Sequence, residues 1–283
     1  MKFVLWRRKC EGMRISLDKD RCIKCGICIR RMDGFCIKSN EGFPEFNDRV
    51  CNTCQKCVAI CPSQAIMVNG KYPERIANLK EINSDDIFSI LERRRSIKKF
   101  QKKEIPKEVL EKILSVAKFA PNQNKNISIV VIKDAELIKT IDEYAVEFVK
   151  KFYKLLFGLK IFTKFISIFY KDIYVIKEKM EYRNFESVLY ENTQIIIIAT
   201  GNKHAPVTES SSHYLLANLM IMAEALGVGS CLMDSVLLTL KTNRELRKRL
   251  DINEDVLCAM VLGYSDENIV NIPRGYEVEV RYE

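Results

Sequence analysis

The chain has 283 residues, 47% hydrophobic and 29% charged, with 11 Gly and 7 Pro. That balance excludes a disordered, collagen-like or low-complexity polymer and provides enough apolar side chain for one large or two small cores. The net charge is +9, but residues 1–80 hold 16 Lys and Arg against 8 Asp and Glu, leaving 30 against 29 for the remainder, so the excess belongs to one end. No nucleic-acid reader motif accompanies that excess, and no nucleic-acid partner is assigned. No run reaches the roughly 18 uncharged apolar residues of a membrane span, and arginines interrupt the opening MKFVLWRRKCEG where a signal peptide carries its apolar core. The chain is therefore expected to be cytoplasmic.

The first predicted elements are short. MRISLD (13–18) and AIMVNG (65–70) read as strands, and GFCIKSNEGFPEF (34–46) has the punctuation of a hairpin. Nine of the eleven cysteines lie in this end. Cys22, Cys25 and Cys28 form C-x2-C-x2-C; Cys51, Cys54 and Cys57 repeat it and continue to Cys61 and Pro62, with Cys36 between the two runs. Three thiolates at this spacing reach three corners of one iron–sulfur cube from a loop and a helix start. In two-cluster ferredoxins the last cysteine of each run ligates the other cluster. Cys22, Cys25, Cys28 and Cys61 are accordingly assigned to one [4Fe–4S] cluster, and Cys51, Cys54, Cys57 and Cys36 to a second. The first run departs from the pattern, because seven residues separate Cys28 from Cys36 and no proline follows. Structural zinc would favour separated C-x2-C pairs, and a cytosolic chain keeps its thiols reduced. Cys10 reads as a bystander. The internal repeat predicts a ferredoxin-like domain over residues 1–80 that moves single electrons.

A polar stretch from Tyr72 to Asp86 leads to a second domain, predicted over 84–283. Ser84, followed by Asp85 and Asp86, reads as the N-cap of a helix through IFSILERRRS. A second helix follows Pro106, with Val109, Leu110, Ile113, Leu114, Val116 and Ala117 at helical spacing, and ends at Pro121. ISIVVIKD, IIIIATGN and VLCAMVLGYS are apolar runs of strands covered on both faces, and HYLLANLMIMAEALGVGS between the last two is a long apolar helix closed by the Gly227–Gly229 turn. That turn is no dinucleotide fingerprint, since a third glycine is missing and it follows a helix. Residues 150–176 place Lys160, Lys164 and Lys171 on one narrow face and read as a helical insertion, with a membrane-surface helix as the alternative. Cys231 and Cys258 read as core residues, and neither His204 nor His213 has a partner that points to catalysis.

RRRSIKKF (93–100), Ala120–Pro121 with the Asn-rich turn after it, LMIMAEALGVGSC (219–231) and VLGY (261–264), in this order, resemble the FMN-binding nitroreductase family over about 200 residues. With the cysteine-rich end, the whole resembles the ferredoxin–nitroreductase fusions of anaerobic bacteria and archaea. The expected fold class is α+β: a small bacterial-ferredoxin-like module followed by a nitroreductase-like α/β sandwich. Basic side chains and a hydroxyl at a helix end suit a phosphate dianion. The resemblance puts Arg94, Arg95, Ser96 and Lys98 on the phosphate and ribityl chain of FMN, and Pro121, Asn122 and Asn124 at the flavin across a dimer interface. It also directs the backbone at Asp234 and Ser235 towards flavin N5 and O4, brings Arg274 to the phosphate, and makes EVEVRYE a strand that reaches the partner subunit. The family's Pro–Trp pair after the Asn-rich turn is missing here. The implied activity is an oxidoreductase, a homodimer taking electrons from ferredoxin or another low-potential donor through both clusters to FMN. A small-molecule acceptor, such as a nitroaromatic or a quinone, receives them, and flavin N5 is the reactive centre rather than a side chain. Two alternatives stay open: a flavin reductase or electron-transfer component serving other proteins, and a non-catalytic redox carrier or sensor.

Overall fold

The computed structural model describes residues 14–32, 36–51, 54–121, 127–158, 177–178, 186–205, 207–273 and 278–282. Its first elements are β1 (Ile15–Leu17), α1 (Ile27–Arg31), β2 (Ile37–Asn40), β3 (Phe43–Phe46), α2 (Lys56–Ala59) and β4 (Ile66–Val68). β1 and β4 pair antiparallel, Ile15 opposite Val68 and Leu17 opposite Ile66, while β2 and β3 form the expected hairpin. The two-residue loop of that hairpin has φ of 51° at Glu41 and 84° at Gly42, the doubly positive turn whose twist matches the flanking strands.

The internal repeat is visible in the backbone. Gly26 and Gln55 hold the same place in the two cysteine runs, and both are left-handed, at φ 67° and 58°. Each N-caps a short helix that buries the third cysteine of its run, Cys28 or Cys57. The core here consists of Ile15, Ile37, Val58 and Ile66 together with those two cysteines. So few aliphatic side chains supply little burial energy, and small scaffolds of this kind generally need a covalent or metal staple.

After a 3-10 turn at Ile76–Asn78, the second half comprises α3 (Ser84–Arg93), α4 (Lys107–Ser115), β5 (Ile127–Ile132), α5 (Ala135–Phe157), β6 (Ile195–Gly201), α6 (Thr208–Ala225), β7 (Gly229–Leu232), α7 (Asp234–Thr242), α8 (Arg244–Arg249) and β8 (Asp255–Gly263). The strands pair in the order β5-β6-β8-β7, every neighbour antiparallel. Alternation along β6 separates two cores: Ile196 and Ile198 face α5, α7 and α8, whereas Ile195, Ile197 and Ala199 face α4 and α6. This is the predicted α+β class, with a sheet buried under helices on both sides.

Two local readings are corrected. The cap of α3 is Asn83 rather than Ser84, because the Asn83 side chain accepts from the Asp85 N–H at 3.0 Å. β7 was not anticipated; it is only four residues long, and its register comes from β8. Residues 278–282 pair with no described strand of the same chain, the expected ladder being one with a partner subunit. The turn after α6 does close as expected. Val228 N–H bonds Ala223 C=O at 2.8 Å and Gly227 N–H bonds Glu224 C=O at 3.0 Å, with Gly227 at φ 70°. One further contact ties distant segments together. Asp142 of α5 accepts from the N–H groups of Val188 and Leu189, both at 2.8 Å, and from the Ser187 hydroxyl at 2.7 Å.

Candidate functional site

The described cysteines of the first half lie near one another in two sets. Cys22, Cys25, Cys28 and Cys61 line one pocket, floored by Leu17, Ala65 and Ile66. Burial pushes the Cys28 thiol above its ordinary range, and charge on Cys61, Cys25 and Cys22 adds to the rise. Cys36, Cys51, Cys54 and Cys57 form the other set. Burial and charge on Cys51 and Cys54 raise Cys36, while burial and the same two neighbours, with Cys36, push Cys57 up to about 12. Cys61 differs. Burial acts to raise it too, yet the Ser63 hydroxyl and main-chain N–H groups bring it below the ordinary value. Its Sγ lies 3.6 Å from Ser63 Oγ and 3.3 Å from the Ala65 nitrogen.

Eight thiols in two quartets form a donor set for soft, multinuclear metal. A lone buried thiol with a raised pKa stays protonated, so quartets of this kind persist as thiolates only when cations compensate them. Among the described residues, no three His, Cys, Asp or Glu side chains are grouped to hold a metal ion. A cube differs from a single ion in spreading its four thiolates over four irons.

Asp18 holds the first loop in shape. Its carboxylate accepts from Asp20 N–H at 2.9 Å, Arg21 N–H at 3.2 Å and the Tyr72 hydroxyl at 2.5 Å, and the Arg21 guanidinium stacks 3.8 Å from the Tyr72 ring. The Tyr72 bond and the Arg21 N–H together lower its pKa.

In the second half the basic segment leaves α3 at Arg94 and runs extended along the sheet edge. Ser96 bridges Ser230 of β7, Ile97 N–H bonds Ser230 C=O at 3.1 Å, and Gln101 N–H bonds Tyr264 C=O at 2.8 Å. Ile97 and Phe100 are the buried anchors, and each sits against a glycine that leaves room for it. A Cβ on Gly229 would stand 2.8 Å from Ile97, and one on Gly263 would stand 2.6 Å from Phe100. Those glycines are themselves cross-strand partners in the β7–β8 register.

This anchoring sets the exposure of the polar residues between. Arg94 is half-buried, with a buried Nη1 that has no hydrogen-bond partner; Arg95 turns its Nη1 to the Arg94 C=O at 2.7 Å; Ser96 and Lys98 are exposed. Ser230 is buried, and its hydroxyl is also without a partner. A buried guanidinium nitrogen and a buried hydroxyl left unsatisfied are costly unless a ligand completes them, and an anionic, oxygen-rich group fits both. Ser230 was not foreseen, although its position after Gly229 was the available signal. From Ser230, β7 runs on to α7, where Asp234 is exposed and Ser235 is half-buried in a first turn whose N–H groups lack helical acceptors. Pro121 is exposed, beyond the 3-10 turn that continues α4. Asn122, Asn124 and Arg274 lie outside the described residues, as does most of 150–176. Cys231 and Cys258 are buried in the sheet, as expected. No helix among the described residues is long and apolar enough to cross a membrane.

Residues 91–264 match the profile of the nitroreductase family. Among solved structures, the chain is similar to a nitroreductase with bound FMN from Bacteroides fragilis (TM-score 0.54, 16% identity, 71% of this chain and all of that one). It is also similar to a nitroreductase with bound FMN from Desulfitobacterium hafniense (0.53, 16%, with the same coverage) and to an FMN-dependent nitroreductase from Clostridium difficile (0.52, 19%, again the same coverage). These likenesses establish the fold. Among curated proteins, 59 residues are 30% identical to the delta subunit of an NADH-dependent phenylglyoxylate dehydrogenase from Aromatoleum evansii, covering 21% of this chain and 59% of that subunit. The chain thus spans about three fifths of the length of the curated relative it matches.

Proposed function

Because this chain belongs to the nitroreductase family, we propose that it is an FMN- and iron–sulfur-dependent oxidoreductase that carries electrons from a low-potential donor to a small organic acceptor. The observation that carries this reading is the pair of C-x2-C-x2-C runs, one of them lining a pocket with Cys61, on the same chain as the family's fold. In this reading residues 1–80 form the electron-transfer domain and 84–283 the flavin domain, acting as a cytoplasmic homodimer. The relatives' bound FMN, and the likeness of 59 residues to a subunit of an NADH-dependent dehydrogenase, support it.

Bound FMN would accept electrons singly and deliver them in pairs at N5, while two [4Fe–4S] clusters would supply single electrons. The chain's own residues bind and orient. Arg94 Nη1 and the Ser230 hydroxyl offer unmet donors to phosphate and ribityl oxygens, with Ser96, Lys98 and Arg95 along the same strand and Arg274 joining them. The free N–H groups at Asp234 and Ser235 would face the electron-rich edge of the ring, and Pro121, Asn122 and Asn124 would bound its other side. Cys22, Cys25, Cys28 and Cys61 would hold one cluster, and Cys36, Cys51, Cys54 and Cys57 the other.

Anaerobic purification tests the reading directly. About eight iron, eight sulfide and one FMN per chain are expected. Arg94→Ala is expected to release FMN while iron stays unchanged. Zinc without sulfide would refute the relay, and iron without flavin would refute the reductase.

A further inference from the structure

The loop from Cys61 to Ala65 does two things at once. It brings the Ser63 hydroxyl to 3.6 Å and the Ala65 N–H to 3.3 Å from the Cys61 sulfur. It also receives the start of the interdomain linker: Arg75 Nη2 donates to Pro62 C=O at 3.1 Å, Gln64 Nε2 donates to Pro73 C=O at 2.6 Å, and the Tyr72 hydroxyl donates to Asp18, next in sequence to Leu17 of the same pocket. The pocket of Cys22, Cys25, Cys28 and Cys61 is therefore the one beside which the chain departs for the flavin half.

A cysteine sulfur bound to iron has no proton, so in the Ser63–Cys61 pair the hydroxyl must donate. A donor aimed at a cluster thiolate stabilises the more negative, reduced state over the oxidised one and so raises the reduction potential. We propose that Ser63 is a tuning residue that makes the cluster held by Cys22, Cys25, Cys28 and Cys61 the electron-accepting end of the relay, next to the linker. The inference rests on the iron–sulfur reading above. In the step it describes, one electron leaves the cluster of Cys36, Cys51, Cys54 and Cys57 and enters its neighbour, with no bond made or broken and no proton moved. The low-potential donor then meets the far cluster, where Cys54 is exposed.

The test is an anaerobic redox titration of the full-length holoprotein, followed by electron paramagnetic resonance. Two midpoints are expected. In Ser63→Ala, the higher of the two should fall so that the reduced-to-oxidised ratio at fixed potential drops about threefold to tenfold, tenfold being 59 mV for one electron. The other midpoint should not move. Ser63→Thr, which keeps the hydroxyl, should titrate like the parent, and Cys61→Ser should alter the signal of the same centre. Should Ser63→Ala lose iron, Ser63→Thr against Ser63→Val makes the comparison with nearly matched shapes. An unmoved higher midpoint, an equal shift of both, or a shift confined to the lower one overturns the proposal. Absence of iron and sulfide from the parent protein would instead overturn the iron–sulfur reading, and the tuning role with it.

Discussion

Alanine at position 263 tests the anchoring of the basic segment. An added Cβ would lie 2.6 Å from Phe100 Cδ1 and 2.7 Å from Cγ, where carbon atoms rest about 3.5–4.0 Å apart. Phe100 is fully buried and its backbone is fixed through the Glu191 and Asn192 contacts, so relief requires the ring, and with it the Arg94–Phe100 strand, to move by about 1 Å. Overpacking of that kind costs about 1–3 kcal/mol. Urea titration followed by far-UV circular dichroism reads the loss, and a double-mutant cycle identifies its source. Phe100→Leu alone creates a cavity and costs on the order of 1–2 kcal/mol, less than complete truncation of a buried Phe. Combined with Gly263→Ala it should cost less than the two losses added, because the new methyl occupies the space that the ring gave up. Additivity within about 0.5 kcal/mol would mean that the methyl and the ring do not compete, and would refute the reasoning.

Asp142→Ala leaves the buried Val188 and Leu189 N–H groups without an acceptor and should destabilise the protein by about 2–6 kcal/mol, with Asp142→Asn recovering part through its amide oxygen; the same titration checks both. Gly227→Ala meets no neighbour, so its cost is the left-handed backbone alone, about 1 kcal/mol. Burial pushes Cys258 up to about 11 from its unfolded value near 9.0. The folded state therefore retains a proton that the unfolded chain loses, and this contribution is fully present below pH 9 and disappears between pH 9 and 11. Cys258→Ala should flatten the decline of urea stability across that window; an unchanged slope would exclude Cys258 as its source.

Much of the molecule was legible in the sequence because it depends on local rules. The cysteine runs, the hairpin at Glu41–Gly42 and the turn at Gly227 are set by spacing and backbone freedom within a few residues. The apolar runs of β5, β6 and β8 announce strands covered on both faces. What remained hidden depends on distant pairing. GSCL has the length of a turn rather than a strand until β8 supplies a ladder, and Ser230 becomes a candidate ligand contact only because Ser96 is brought beside it. Likewise, Asn83 and Ser84 are equally good caps by composition, and the direction in which the chain enters α3 decides between them.

The Asp142 clasp has a consequence for how this architecture can diverge. α5 continues 15 residues past Asp142 to Phe157, about 22 Å at helical rise, and the chain must return that distance to reach Ser187. About seven extended residues would suffice for the return journey, far fewer than the sequence devotes to it. Because both departure and re-entry are fastened to one helix, the register of the sheet is set without reference to the length of the connection between them.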